Sequence, residues 1–111
     1  MIARIWHGRT SIELGAEYGR FLRSRAIPDY RSTIGNLGAL VLRHDAPECC
    51  HFLTVSLWES LDVIRAFAGE PIETAKYYDE DVRYLLEYEP TATHYEVQGA
   101  GLSSALWESE G

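Results

Sequence analysis

Hydrophobic and polar side chains alternate along residues 51–58, and a helical spacing follows directly. In an extended strand the two faces carry different side chains, Phe52, Thr54, Ser56 and Trp58 on one and His51, Leu53, Val55 and Leu57 on the other. Ser60 is a suitable helix N-cap, and Gly69, just before Pro71, is suited to end the helix. The pattern therefore predicts that Trp58 lies where the sheet meets the helix, a position at which a pocket can open.

Similar patterns predict the other elements of the chain. Further strands are expected at residues 2–7, 37–44 and 93–98, and further helices from after Thr10 to about Ile27 and from Ile72 to Glu87. Pro28 is expected to end the first helix, because proline disfavours helical geometry in the residue before it. The order β-α-β-β-α-β is typical of an α+β protein with the ferredoxin-like fold. We predict one domain over residues 1–98 and a short C-terminal tail over residues 99–111.

The composition is that of a folded globular protein. The 111 residues are 46% hydrophobic and 12% aromatic, which provides enough apolar surface for one core. No apolar run approaches the roughly 18 residues that a membrane helix needs, and the first residues lack the pattern of a signal peptide. We therefore expect a cytoplasmic protein that does not bind a membrane.

Charge and metal-ligand spacing exclude further classes of function. The net charge of −7 makes nucleic acid a poor partner, and the acidic run at residues 79–89 is typical of a solvated helical face. Cys49 and Cys50 are adjacent, which suits neither a structural disulfide nor a zinc site, so we interpret them as reduced strand residues. The four histidines are scattered without a metal-binding spacing. We predict no metal site.

Both faces of the predicted sheet are apolar. Leu53, Val55 and Leu57 lie opposite the Trp58 face, and the strand at 37–44 likewise carries apolar residues on both sides. In a ferredoxin-like fold both helices cover the same face, so the other face needs a different cover. We predict a two-fold homodimer in which the sheets pack face to face as an α/β barrel.

Several short motifs resemble the antibiotic biosynthesis monooxygenase family of dimeric α/β barrels. The resemblance covers residues 1 to about 98 and is based on Ile2–Gly8, Leu57-Trp58-Glu59-Ser60, Phe67-Ala68-Gly69, Tyr77-Tyr78 and His94-Tyr95-Glu96-Val97. It implies the dimeric barrel fold. The same superfamily also contains isomerases, dehalogenating enzymes, haem-degrading monooxygenases and members of no known function, so the resemblance is specific for the fold and only suggestive for the activity.

The resemblance also identifies departures from the family. It matches the tryptophan at the end of strand three to Trp58, but the asparagine four positions earlier in quinone-forming oxygenases is Thr54 here. In haem-degrading relatives a strand-one asparagine and a helix histidine flank the haem, and we place His7 and Tyr77 at those positions. Without the helix histidine, haem ligation is disfavoured.

The leading hypothesis is a cofactor-independent monooxygenase that oxidises a small aromatic or polyketide-like compound with dioxygen. Such chemistry needs a base, an aromatic wall and a dry cavity. We assign His7 as the base, since imidazole ionises near neutral pH, and Trp58 as the stacking wall. The candidate substrate-binding residues are hydroxyl-bearing: Tyr30, Thr54, Ser56, Tyr77 and Tyr78. No metal or flavin is implied.

The same residues are also compatible with purely structural roles. Trp58 can be a packing residue at the junction of helix and sheet, His7 a half-solvated histidine at a strand end, and Tyr78 part of the core. Two other functions are also compatible with the sequence. One is a non-enzymatic dimer that binds a small molecule, and the other is a haem-degrading monooxygenase with altered ligation.

Overall fold

The computed structural model describes residues 1–103, which form an antiparallel sheet of five strands covered by helices. The strands are β1 (Ile2–Thr10), β2 (Asn36–Asp45), β3 (Cys50–Trp58), β4 (Leu85–Tyr88) and β5 (Thr93–Glu96). Their order is β2-β3-β1-β4, and β5 also pairs with β1. The predicted α+β fold with ferredoxin-like topology is therefore confirmed.

Strand β1 is central to the sheet. Along its whole length it pairs with β3, from Ile2 opposite Trp58 to Thr10 opposite Cys50. Its other edge is divided between β5, which pairs with Ile2–Ile5, and β4, which pairs with Gly8–Thr10. In β3 every second residue is buried, from Cys50 to Trp58, as the alternation predicts.

The first helical region is longer than predicted. Helix α1 (Gly15–Phe21) continues through a π-helical segment (Leu22–Ala26) into α2 (Ile27–Ser32). The expected end at Ile27 is wrong, because Pro28 lies in the first turn of α2, where a missing N–H is tolerated. Every fourth residue of this region is buried, namely Tyr18, Leu22, Ala26 and Tyr30. Four residues of a regular α-helix turn about 40° too far to stay on one line, and the wider π turn compensates for that drift.

The second helical region is shorter than predicted. Helix α3 (Leu61–Ala68) begins after Ser60 and ends at Gly69, whose φ is 77°, as expected. The predicted helix from Ile72 to Glu87 is wrong, because only α4 (Asp81–Tyr84) is helical there and the next residues form β4. The backbone of β4 hydrogen-bonds to the edge of β1, which would otherwise have no partner over Gly8–Thr10.

The helices cover one face of the sheet and leave the other uncovered. We call the uncovered side the open face; its apolar residues are Ile5, Leu40, Leu42, Leu53, Val55, Leu57 and Tyr95. Leu40 is 58% exposed and Leu42 is 43% exposed, whereas Phe52 and Trp58 on the covered side are fully buried. The core therefore lies entirely between the helices and one side of the sheet.

Two further observations concern the whole described chain. Within residues 1–103 no helix has both the length and the apolar character needed to cross a membrane. Of the predicted tail, residues 99–103 have no regular secondary structure, and residues 104–111 lie outside the described part of the chain.

Candidate functional site

A cavity opens between the covered face of the sheet and the helices. The space in and around it is about 370 Å³ with the open solvent at its mouth included, and the enclosed part has room for about one water molecule. The lining comes from β1, β3, the first helical region, α3 and the segment 75–81, and consists of Arg4, Trp6, Tyr18, Leu22, Ala26, Tyr30, Thr54, Phe67, Ala75, Lys76, Tyr78 and Asp81. Five of these twelve side chains are aromatic and three are charged.

Tyr30 and Thr54 form a polar contact in the wall. The Tyr30 hydroxyl donates to the Thr54 Oγ1 at 3.1 Å, and both side chains are buried. The Tyr30 ring stacks on Phe67 with 4.7 Å between ring centroids. Burial raises the pKa of Tyr30, so the phenol stays protonated at neutral pH and acts as a hydrogen-bonding group. These two predicted residues do lie on the cavity.

Trp58 and Ser56 lie behind that wall. Trp58 is fully buried, and its indole N–H donates to the Ser56 Oγ at 2.8 Å. Its ring contacts Phe67 with 5.4 Å between centroids, and neither Trp58 nor Ser56 is among the lining residues. Phe67 therefore separates Trp58 from the cavity, and Trp58 packs behind it.

His7 lies on the other side of the sheet. Because side chains alternate along β1, Trp6 and Gly8 face the helices and His7 faces away from the cavity. Its Nε2 is 2.9 Å from the His51 Nδ1, and its Nδ1 is 3.5 Å from a Glu89 carboxylate oxygen. The expected grouping of His7 with Trp58, Thr54 and Tyr30 in one pocket is not found, so His7 cannot act as a base in this cavity.

Asp81 is the ionisable group that the sequence did not single out. It is only 6% exposed, its carboxylate accepts a hydrogen bond from the Tyr18 hydroxyl at 3.0 Å, and the Tyr78 backbone N–H donates to it at 2.8 Å. Burial raises the pKa of Asp81 and outweighs these two hydrogen bonds. A carboxyl group with a raised pKa beside an aromatic cavity is chemically suited to accept a proton. The sequence gives no sign of this role, because Asp81 lies within the acidic run at residues 79–89, which is typical of a solvated helical face.

A second, more polar recess shares Lys76 and Tyr78 with the first and has a volume of about 670 Å³ with open solvent included. It is lined by Arg25, Asp29, Lys76, Tyr77, Tyr78 and Asp79. The Tyr78 hydroxyl donates to Asp29 at 2.6 Å, and the Lys76 ammonium lies 2.8 Å from the same carboxylate. Partial burial raises the pKa of Asp29, but the hydrogen bonds from Lys76 and Tyr78 lower it by more. The pKa of Asp29 is therefore below its ordinary value. Tyr78 lines both spaces, whereas Tyr77 reaches only the outer one and donates to the Glu89 carbonyl.

The lining offers few ligands for a metal. No histidine, cysteine or methionine lies on the cavity wall. Within residues 1–103, no cluster of three or more histidine, cysteine and acidic side chains has the arrangement of a metal site. Both cysteines are free thiols, and Cys50 begins β3 while Cys49 directly precedes it.

Comparison of the whole chain with known proteins gives similarity in structure alone. No protein-family model matches the sequence, and a search of curated proteins finds no significant match. A MhuD variant with two manganese protoporphyrin IX molecules bound per active site is 18% identical, with a TM-score of 0.65 over 93% of this chain and 100% of that one. The haem degrader MhuD of Mycobacterium tuberculosis, with two haems bound in its active site, is 20% identical, with a TM-score of 0.62 over 91% and 99% of the two chains.

A third structure extends the comparison to the family that the sequence motifs resemble. A Bacillus cereus protein, provisionally assigned as an antibiotic biosynthesis monooxygenase, is 9% identical, with a TM-score of 0.62 over 92% of this chain and 97% of that one. Identities this low establish a shared fold and leave the activity open. The resemblance inferred from the motifs is therefore confirmed at the level of the fold.

Proposed function

We propose that this chain is a monooxygenase that oxidises a small aromatic compound with dioxygen in the cavity beneath the first helical region, without a bound cofactor. The observation that carries this proposal is the buried carboxyl group of Asp81, which faces an aromatic cavity and has a raised pKa. The fold shared with a haem degrader and with a protein provisionally assigned as an antibiotic biosynthesis monooxygenase supports it.

The proposed reaction converts a phenol into a quinone. Asp81 accepts the proton of the substrate hydroxyl, and the resulting phenolate transfers an electron to dioxygen. The two radicals combine at a ring carbon, and the proton returned by Asp81 gives a hydroperoxide. Loss of water, which takes the hydrogen from that ring carbon, leaves a second carbonyl, so that phenol and dioxygen give quinone and water. Phe67 and Tyr30, which stack on each other, would form an aromatic wall beside the substrate ring.

The open face supports the homodimer that we propose as the functional form. Its leucines and Tyr95 would be buried by a second copy of the same face, as in an isologous two-fold interface. Light scattering at micromolar concentration is expected to give twice the 12.6 kDa mass of one chain. A mass of one chain would contradict the dimer.

The residues of the cavity do not fit haem. Histidine, cysteine, methionine and tyrosinate are the usual axial ligands of haem iron, and of these four only tyrosine is present in the cavity lining. Tyr18, Tyr30 and Tyr78 each donate a hydrogen bond to an oxygen of the protein, and burial raises the pKa of all three. Titration with haem is therefore expected to give no shifted Soret band, and a shifted band would favour the haem-degrading alternative.

Oxygen consumption with 2-naphthol tests the proposed reaction. Asp81→Asn is expected to slow turnover about 100-fold, the lower end of what a general base contributes. The matched control is Glu17→Gln, which removes one negative charge from the exposed side of α1 and is expected to leave the rate unchanged. Equal rates in wild type and Asp81→Asn would contradict the role of Asp81. Thermal stabilisation by the naphthol without oxygen consumption would instead favour a binding protein.

A further inference from the structure

We infer that Arg4 forms a carboxylate-binding subsite in the cavity, so that the substrate is an aromatic acid. This inference rests on the proposed function, because it assigns a substrate class to the same cavity. It comes from the unusual surroundings of this one side chain.

Arg4 is a buried cation without an ion-pair partner among the described residues. It is 4% exposed. Its Nη1 donates to the Ile72 carbonyl at 2.5 Å and lies 2.8 Å from the His94 Nε2, and its Nη2 donates to the Thr74 carbonyl at 2.9 Å. Since arginine only donates, the His94 Nε2 is the acceptor and its proton is on Nδ1. None of these three acceptors is charged.

The neighbouring ionisable groups do not neutralise Arg4. Burial and the arginine itself lower the pKa of His94, which therefore stays neutral. Glu73 acts on Arg4 only from beyond ion-pair distance, and burial is the larger effect and lowers the pKa of Arg4. Burying a charge without an ion-pair partner costs folding free energy because the charge loses its hydration. A cavity lined by such a cation is therefore suited to an anionic ligand.

The free donors of Arg4 have the geometry that a carboxylate needs. A guanidinium has five N–H groups, and three of them are directed to Ile72, His94 and Thr74. The two that remain are the Nε N–H and one of the two N–H groups of Nη2, and Nε and Nη2 together form one edge of the guanidinium. That edge binds both oxygens of a carboxylate side by side. Because Arg4 lines the cavity, a carboxylate bound by this edge would lie at the cavity wall.

The subsite and the proposed base lie toward opposite ends of the cavity. In the sheet, Arg4 lies opposite Ser56 and Gly8 lies opposite Phe52. Tyr18 packs on Phe52 and donates a hydrogen bond to Asp81, so Asp81 lies nearer to the Gly8 end of β1. Four residues of strand separate Arg4 from Gly8, or about 13 Å. An aromatic acid with its hydroxyl group far from its carboxylate, on the opposite side of a fused ring system, matches this arrangement.

The probes 6-hydroxy-2-naphthoate and 2-naphthol, titrated by fluorescence under nitrogen, test the subsite. The wild type is expected to bind the acid about 10- to 100-fold more tightly than the naphthol, the range for charge-assisted hydrogen bonds. Arg4→Met is expected to remove that preference, which is measured as the ratio of the two affinities in the same variant. Arg4→Lys, which keeps the charge but not the paired donors, is expected to retain part of the preference.

Arg23→Met is the matched control for Arg4→Met. Arg23→Met makes the same change of charge on the exposed side of the π-helical segment and is expected to keep the full preference. Equal affinity of the wild type for both probes, no binding of the acid at millimolar concentration, or an unchanged preference in folded Arg4→Met would overturn the subsite. Since binding is measured without oxygen, a preference that depends on Arg4 together with no oxygen consumption would reject the proposed reaction and leave the subsite standing.

Discussion

Asp29 and Asp81 are two carboxyl groups at one cavity whose pKa values shift in opposite directions. Burial dominates at Asp81 and raises its pKa, while the bonds from Lys76 and Tyr78 overcome partial burial at Asp29 and lower its pKa. The difference arises because Asp81 accepts only from neutral donors, whereas Asp29 faces an ammonium group. At the residue scale, the chemistry of each carboxyl group is set by its partner and not by its exposure alone.

The opposite shifts predict opposite effects of pH on stability. The folded protein holds the Asp81 proton more tightly than the unfolded chain, so the stabilisation is complete below about pH 3.9 and is lost as pH rises through the raised pKa. Asp29 stabilises above about pH 3.9, and this contribution is lost as pH falls through its lowered pKa. Urea unfolding across pH should therefore show the advantage of wild type over Asp81→Asn shrinking with rising pH, and its advantage over Asp29→Asn growing. A difference that does not change with pH for either variant would contradict the assignment.

Part of the cavity could be predicted from the sequence. The alternation in β3 correctly places Thr54 on the covered face, and Tyr30 and Tyr78 also line the cavity. The sequence does not predict which face of β1 is turned toward the helices, because polar and apolar residues occur on both faces. Arg4 and Trp6 point inward, and Ile5 and His7 point outward. Arg4 and Asp81 were missed for a related reason, since charged residues are buried here against the usual pattern.

At the scale of elements, the segment 69–80 shows where a helical pattern misled. Ala75, Tyr78 and Asp81 have helical spacing and face inward, yet the backbone before Asp81 is a loop with an isolated bridge between Thr74 and Thr91. Val82, an apolar residue within the predicted helix, is 82% exposed. The pairing of β4 with β1 is a tertiary contact that spacing within one segment does not report. The order of the remaining elements followed from local pattern and turn residues alone.

Two glycines at positive φ give a matched test of how tightly α3 packs. Gly35 has a φ of 94°, and a Cβ there would lie 2.6 Å from the Val63 Cβ, whereas Gly69 has a φ of 77° with nothing within 4 Å. Both alanine variants incur a backbone cost of about 1–3 kcal/mol, because each residue has a positive φ, at Gly69 combined with a ψ of −162°. Gly35→Ala is expected to lose about 1–3 kcal/mol more through overpacking against Val63. Urea unfolding measures both, and equal losses would show that α3 shifts freely away from the turn.

At the scale of the whole molecule, the open face determines the expected assembly. Leu53 lies near its centre, on the strand between β1 and β2, and is half-buried in the single chain. Leu53→Glu places a charge where the two sheets would meet, and the cost of desolvating that charge is expected to dissociate the dimer. The control, Val82→Glu, changes an exposed residue on α4. Light scattering should give the mass of one chain for the first variant and of two for the second, and a dimeric Leu53→Glu would argue for a different interface.

The π-helical segment links the length of the first helical region to the position of the cavity wall. A regular α-helix advances 100° per residue, so Tyr18 and Tyr30 share one line only because the π turn has absorbed the accumulated rotation. Deleting one residue between Leu22 and Ala26 would relax the backbone into an ordinary α-helix, yet it would also rotate Tyr30 away from Thr54. An insertion or deletion in this part of the chain therefore changes the shape of the site even where it makes the helix more regular. Changes of length are better tolerated in the surface loops.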